Sequence, residues 1–115
     1  MRFTIPAGKT IPSGEAALVF GGGTPTGAFG NCAANGLVFV VGGAGLSLNN
    51  GGDTLTVKDA AAVVVASLTF GSAEGNANQS ITRSPDVTGS FVTHSSARGS
   101  GGALFSPGSR INGGP

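Results

Sequence analysis

The side chains that do chemistry are sparse in this chain. His94 is the only histidine, Cys32 the only cysteine, and the acids are Glu15, Asp53, Asp59, Glu74 and Asp86. A Ser–His–Asp triad or a Cys32–His94 pair is assembled in space, so these residue types keep nucleophilic chemistry open. No G-x-S-x-G elbow or comparable nucleophile context supports it. His94 lies in Thr93-His94-Ser95-Ser96, which reads as a loop or an edge strand. The preferred reading makes it structural, a hydrogen-bonded or exposed ring, because no base–nucleophile pairing is visible around it.

Metal sites have equally little to draw on. One Cys and one His do not make a structural zinc site within one chain. Asn49, Asn50 and Asp53 could give calcium some of its oxygen ligands, but the plainer use of Asn49-Asn50-Gly51-Gly52-Asp53 is an Asx-stabilised hairpin turn. Gly21-Gly22-Gly23-Thr24-Pro25-Thr26-Gly27 lacks the Lys-Ser/Thr pair of a phosphate loop. Gly43-Ala44-Gly45-Leu46-Ser47-Leu48 puts Leu48 where a dinucleotide fingerprint needs Gly. Both loops read as turns. No catalytic residue, cofactor or metal is therefore expected. The polar group of most interest is Arg83-Ser84-Pro85-Asp86. Arg83 and Asp86 either line a ligand surface or serve structure, Arg83 bridging the tail to the body and Ser84-Pro85-Asp86 forming a turn. The structural reading is preferred, since an arm without periodicity needs polar anchors. Arg83, Asp86 and His94 are the candidate site residues.

Composition limits what must position these groups. The 115 residues suffice for one domain with one core. Charged residues are 10% of the chain, against roughly 25% in an average soluble domain. With 22 glycines and no Trp or Tyr, this suits an all-β domain with many tight turns and a surface of hydroxyls and amides. The net charge is +1, and Arg2, Lys9, Lys58, Arg83, Arg98 and Arg110 are scattered. That is not the basic stripe of a nucleic-acid-binding protein. No apolar run approaches the ~18 residues of a membrane-spanning helix. Met1 to Lys9 lacks the apolar core and cleavage site of a signal peptide, so an export signal would lie upstream. Cys32 reads as a small buried apolar residue.

The apolar runs are short and densely punctuated, which favours strands. Phe3 and Ile5 alternate with Thr4, Ala16 to Phe20 is a compact strand, and one helical turn near Phe29 is compatible with the loop that follows. Leu37 to Val41 reads as a strand buried on both faces. Leu46 and Leu48 lead into the Asn-Gly turn signal. The clearest unit is a hairpin. Leu55 and Val57 alternate with Thr54 and Thr56, the turn is Lys58 to Ala62, and Val64, Ala66, Leu68 and Phe70 share one face of the returning strand. Their period of two predicts that this face joins the core. Beyond Gly71, Ile81-Thr82 forms one short pairing segment, and residues 84–115 read as turns and an extended arm anchored by Phe91, Leu104 and Phe105.

Several segments, taken in order, resemble the bacterial lamin-tail family. They are Phe3-Thr4-Ile5-Pro6-Ala7-Gly8-Lys9-Thr10-Ile11-Pro12-Ser13-Gly14, Gly45 to Val57, Asn78 to Asp86 with Gly89, Phe91 and His94, and Phe105-Ser106-Pro107-Gly108. The resemblance implies an immunoglobulin-like β-sandwich, truncated at its N-terminus because the family's opening strands precede Phe3. Ala60-Ala61-Ala62 also replaces a hairpin turn that often carries Gly in relatives. Bacterial members sit in secreted or surface proteins, often beside hydrolase, nuclease or adhesion modules, and the domain itself has no catalytic residues ascribed to it. The expectation is a single domain over residues 1–115, acting as a non-catalytic binding or tethering module of an extracellular or cell-surface protein. The alternative is an accessory domain that positions a fused hydrolase or nuclease. Its partner would be a protein or cell-surface ligand, with neither nucleic acid nor a membrane span. Missing strands would leave unpaired backbone and uncovered apolar side chains, so a homodimer is also expected.

Overall fold

A computed structural model describes residues 3–115; Arg2, counted among the basic residues, lies outside them. The fold is β-rich: among the described residues, six strands form three separate two-stranded sheets. Strands β1 (Leu18–Phe20) and β2 (Val38–Val40) run parallel. Phe20 O accepts from Val41 N and Leu37 O from Leu18 N, each at 2.8 Å. The crossover between them coils through a helix-like turn, with Asn35 N donating to Asn31 O and Leu37 N to Cys32 O. Residues 29–36 are a series of turns and not a regular helix, with Phe29 itself at a φ of 50°. They seat Cys32 (1% exposed) and Leu37 (0%) inward, and with Val41, Ala97 and Ile111 these are the buried apolar residues.

Strands β3 (Gly52–Lys58) and β4 (Val64–Gly71) form the anticipated hairpin, pairing Leu55 with Leu68 and Val57 with Ala66. Its turn is built by Asp59, whose carboxylate accepts from Ala61 N and Val63 N at 2.9 Å. That cage lets Ala62 take a φ of 63° without a glycine. The alternation placed the faces correctly and the core wrongly. Leu55 is 41% exposed, Val57 48% and Val64 52%, while Leu68 and Phe70 are only half-buried. No second sheet lies over the apolar face, so period two is satisfied without burial. Thr54, Thr56, Ser67 and Thr69 occupy the other face, with the Thr54 and Thr69 hydroxyls hydrogen-bonded at 2.8 Å.

Other expectations change in their local detail. Phe3 to Ile5 forms no strand; the Phe3 ring instead packs on Phe39, 5.7 Å between centroids. Asn49 does make an Asx turn, accepting from Gly51 N at 2.7 Å, but the turn only leads into β3 and joins no hairpin. Leu46 and Leu48 lie outside any strand, with Ser47 between them at a φ of 53°. A short helix, α1 (Ser72–Gly75), follows β4 and docks on this turn through Asn76 Nδ2, which donates to Asn50 O.

The segment from residue 81 is more regular than its sequence suggests. Strand β5 (Ile81–Ser84) pairs antiparallel with β6 (Ser90–Thr93), and a 3-10 turn, His94–Ser96, follows. Leu104 and Phe105 are not apolar anchors: they are 48% and 65% exposed, and Leu104 contributes its carbonyl to Ser80 N.

Candidate functional site

His94 leaves β6 at the start of the 3-10 turn and is 1% exposed. Its backbone N–H donates to Ser80 O at 2.9 Å. Nδ1 lies 2.8 Å from the Ala103 carbonyl and Nε2 2.7 Å from Ser106 Oγ. A carbonyl only accepts, so Nδ1 carries the proton, and in the neutral ring the Ser106 hydroxyl donates to Nε2. The ring therefore clasps the 103–106 turn against β6. Ser80 reinforces the clasp, its N–H and hydroxyl both donating to Leu104 O. A shallow cleft of about 240 Å³ opens beside it, lined in part by Thr82, Ser106 and Ser109.

A His nitrogen accepting from a Ser hydroxyl is the core of a base–nucleophile pair. Here the third member is a backbone carbonyl and not a carboxylate. Acyl transfer would also need N–H donors aimed at a developing oxyanion, whereas Ser109 N and Ser80 N are committed to Ser106 O and Leu104 O. Cys32 does not join His94: its Sγ donates to Ala16 O at 3.2 Å, and both ring nitrogens are already occupied. Burial, and then the nearby charge of Glu15, push the Cys32 thiol above its ordinary value of 9.0, the opposite of an activated cysteine.

Arg83 and Asp86 do not share one site. Arg83 Nη1 donates to Gly89 O at 2.8 Å, and the guanidinium lies 4.4 Å from the centroid of Phe91, its cross-strand partner. Arg83 thus ties its own hairpin together and does not bridge the tail to the body. Asp86 holds the tail instead, its two oxygens accepting from Ile111 N at 3.3 Å each. Asp86, Arg98, Ser84, Pro85 and Ile111 line a second open cleft of about 430 Å³.

Ser106 and the Ala103 carbonyl escaped sequence reasoning, because neither carries a signal beyond a Ser-Pro-Gly turn. Among the described residues, no three His, Cys, Asp or Glu side chains come together to hold a metal ion. Nor does any buried side-chain polar atom lack a hydrogen-bond partner. No described helix is long and apolar enough to cross a membrane. Exposed apolar side chains are spread over the described residues: Leu55 and Val57 on one face of the ribbon, Val65 on the face of Ser67 and Thr69, and Val87 and Phe105 away from it. No family model matches the chain, and no curated protein or solved structure matches it either.

Proposed function

We propose that the chain is a non-catalytic interaction module of an extracellular or cell-surface bacterial protein, related to lamin-tail domains and to their immunoglobulin-like sandwich. The observation that carries this reading is the exposed apolar face of the β3–β4 ribbon, with Leu55 41% and Val57 48% exposed. An apolar face of this kind marks a surface meant to be covered. The polar groups near it are engaged in local structure, as the Asp59 and Thr54–Thr69 bonds illustrate. The low charge and hydroxyl-rich surface fit an extracellular setting. The partner is a protein, and the same face allows the chain to pair with itself. Labelled protein incubated with intact bacterial cells and isolated envelopes tests the reading. Wild type is expected to be retained and Val57→Lys released. Equal retention of both, or of neither, overturns it. So would turnover of ester or nucleic-acid substrates that is lost in Ser106→Ala.

A further inference from the structure

We infer that the shallow cleft beside the His94 clasp is a binding site for one neutral hexopyranose ring. The cleft is lined from β5 and from the turn that His94 clasps, so it shares no residue with the β3–β4 ribbon and does not rest on the reading of that ribbon.

The lining is polar without being charged. Lys, Arg, Asp and Glu are all missing from it, while Ser80, Thr82, Ser106 and Ser109 bring four hydroxyls. Ser80 and Ser106 donate their protons inside the protein, to Leu104 O and to His94 Nε2, which leaves their lone pairs to accept. Thr82 and Ser109 are half-buried, and their hydroxyls make no hydrogen bond to any described residue, so each is free both to donate and to accept. The backbone around them is engaged: Ser80 N donates to Leu104 O, His94 N to Ser80 O and Ser109 N to Ser106 O. A charged ligand would find no counter-charge here. A wholly apolar ligand would cover the hydroxyls and leave them unpaired. The match is a neutral molecule whose own hydroxyls donate and accept in turn.

The apolar part of the lining narrows the class. Phe105 is 65% exposed, so the core does not hold it, and it lines this cleft together with Pro107. Its ring offers a flat apolar face of negative quadrupole. A pyranose carries weakly positive axial C–H groups on its faces and hydroxyls around its edge, and so uses an aromatic ring and a set of hydroxyls at once. An open-chain polyol has no such face. The cleft of about 240 Å³ lies below the roughly 300–1,000 Å³ of sites for drug-sized ligands, which suits a single ring.

NMR titration of isotope-labelled protein with the methyl glycosides of glucose, galactose and mannose tests the assignment. At least one is expected to give saturable shifts confined to residues 80–82 and 105–109, with the millimolar dissociation constant of a small ligand. Phe105→Ala should weaken binding about tenfold, the size of an aromatic contact. Thr82→Val exchanges a hydroxyl for a methyl of the same shape and should weaken it about two- to tenfold, as one hydrogen bond does. The spectra of the free variants, with the tail resonances in place, separate lost binding from lost fold. Val57→Lys, on the ribbon, is expected to bind as wild type does, so a failure of the ribbon reading leaves the cleft standing. The uronic acid of the bound sugar should bind more weakly, for want of a cation. No saturable shift with any of the glycosides, shifts centred on the ribbon, or unchanged affinity in both Phe105→Ala and Thr82→Val overturns the site. A uronic acid bound as tightly as its neutral parent overturns the ligand class.

Discussion

At the scale of single residues, the buried polar side chain of His94 ties one turn to the sheet that precedes it. His94 combines full burial with two side-chain hydrogen bonds, to Ala103 O and Ser106 Oγ. His94→Ala removes both bonds and leaves a cavity, so a loss of about 2–4 kcal/mol is expected in chemical denaturation. Ser106→Ala removes one bond and leaves Nε2 without a donor, costing about 1–2 kcal/mol. Equal and negligible losses would mean that the clasp does not hold the turn. Cys32 gives a pH prediction. Its raised folded value keeps the thiol protonated, so that contribution to stability is complete below the unfolded value near 9.0 and is lost as pH climbs through the higher folded value. Alkylation at pH 8 should therefore be slow in the native protein and fast in denaturant. The sequence offered His94 as a hydrogen-bonded or exposed ring and Cys32 as a small buried residue; the ring is hydrogen-bonded and buried, and Cys32 is buried. The sequence did not reveal Ser106, since the bonded atoms lie 12 residues apart and the partner is one of many serines.

At the scale of elements, alternation and burial come apart. The β3–β4 hairpin was legible from Thr54-Leu55-Thr56-Val57 and Val64 to Phe70, and its faces fall where the period of two puts them up to Val57, where a register shift sets Val64 opposite Lys58. Periodicity encodes which residues share a face, and not whether anything covers that face. In β2 the run Leu37 to Val41 is not buried on both faces as its sequence suggests: its ends, Leu37 and Val41, are 0% and 8% exposed, while Val38 and Phe39 are half-buried and Val40 is 43% exposed. Leu37→Ala is therefore expected to cost about 2–5 kcal/mol. Leu55→Ala, at a position 41% exposed, should cost under about 1 kcal/mol, closer to a surface change. The reverse ranking in chemical denaturation would show the ribbon face to be core. The β6 strand was missed because Ser90-Phe91-Val92-Thr93 is too short for a period; in the structure Arg83 stacks on Phe91 across the pair.

At the scale of the whole molecule, the question is what joins the N-terminal half to the C-terminal tail, since no sheet spans both. Asp86 ties the tail back to the β5–β6 loop through Ile111 N. One link between the halves is a contact between two turns, residues 29–32 and 106–109. Gly108 sits at a φ of 73°, and a Cβ there would meet the Phe29 carbonyl oxygen and come within 2.9 Å of Cys32 Sγ. Gly30, at a φ of 62°, presents the same restriction in return, facing the Gly108 carbonyl oxygen. Only glycine lets two backbones approach so closely in that conformation. Gly108→Ala should thus impose both the left-handed penalty of roughly 1–2 kcal/mol and a clash with backbone that has no room to yield. Gly101 separates the two effects, because its φ is 60° and its Cβ would meet nothing within 4 Å. Gly101→Ala should pay only the conformational cost and leave the tail protected from limited proteolysis. Gly108→Ala should lose clearly more stability and release residues after Thr93 to early cleavage. Equal losses in the two variants, with equal protection of the tail, would show that the halves are joined elsewhere and that the packing of the two turns does not hold the chain as one body.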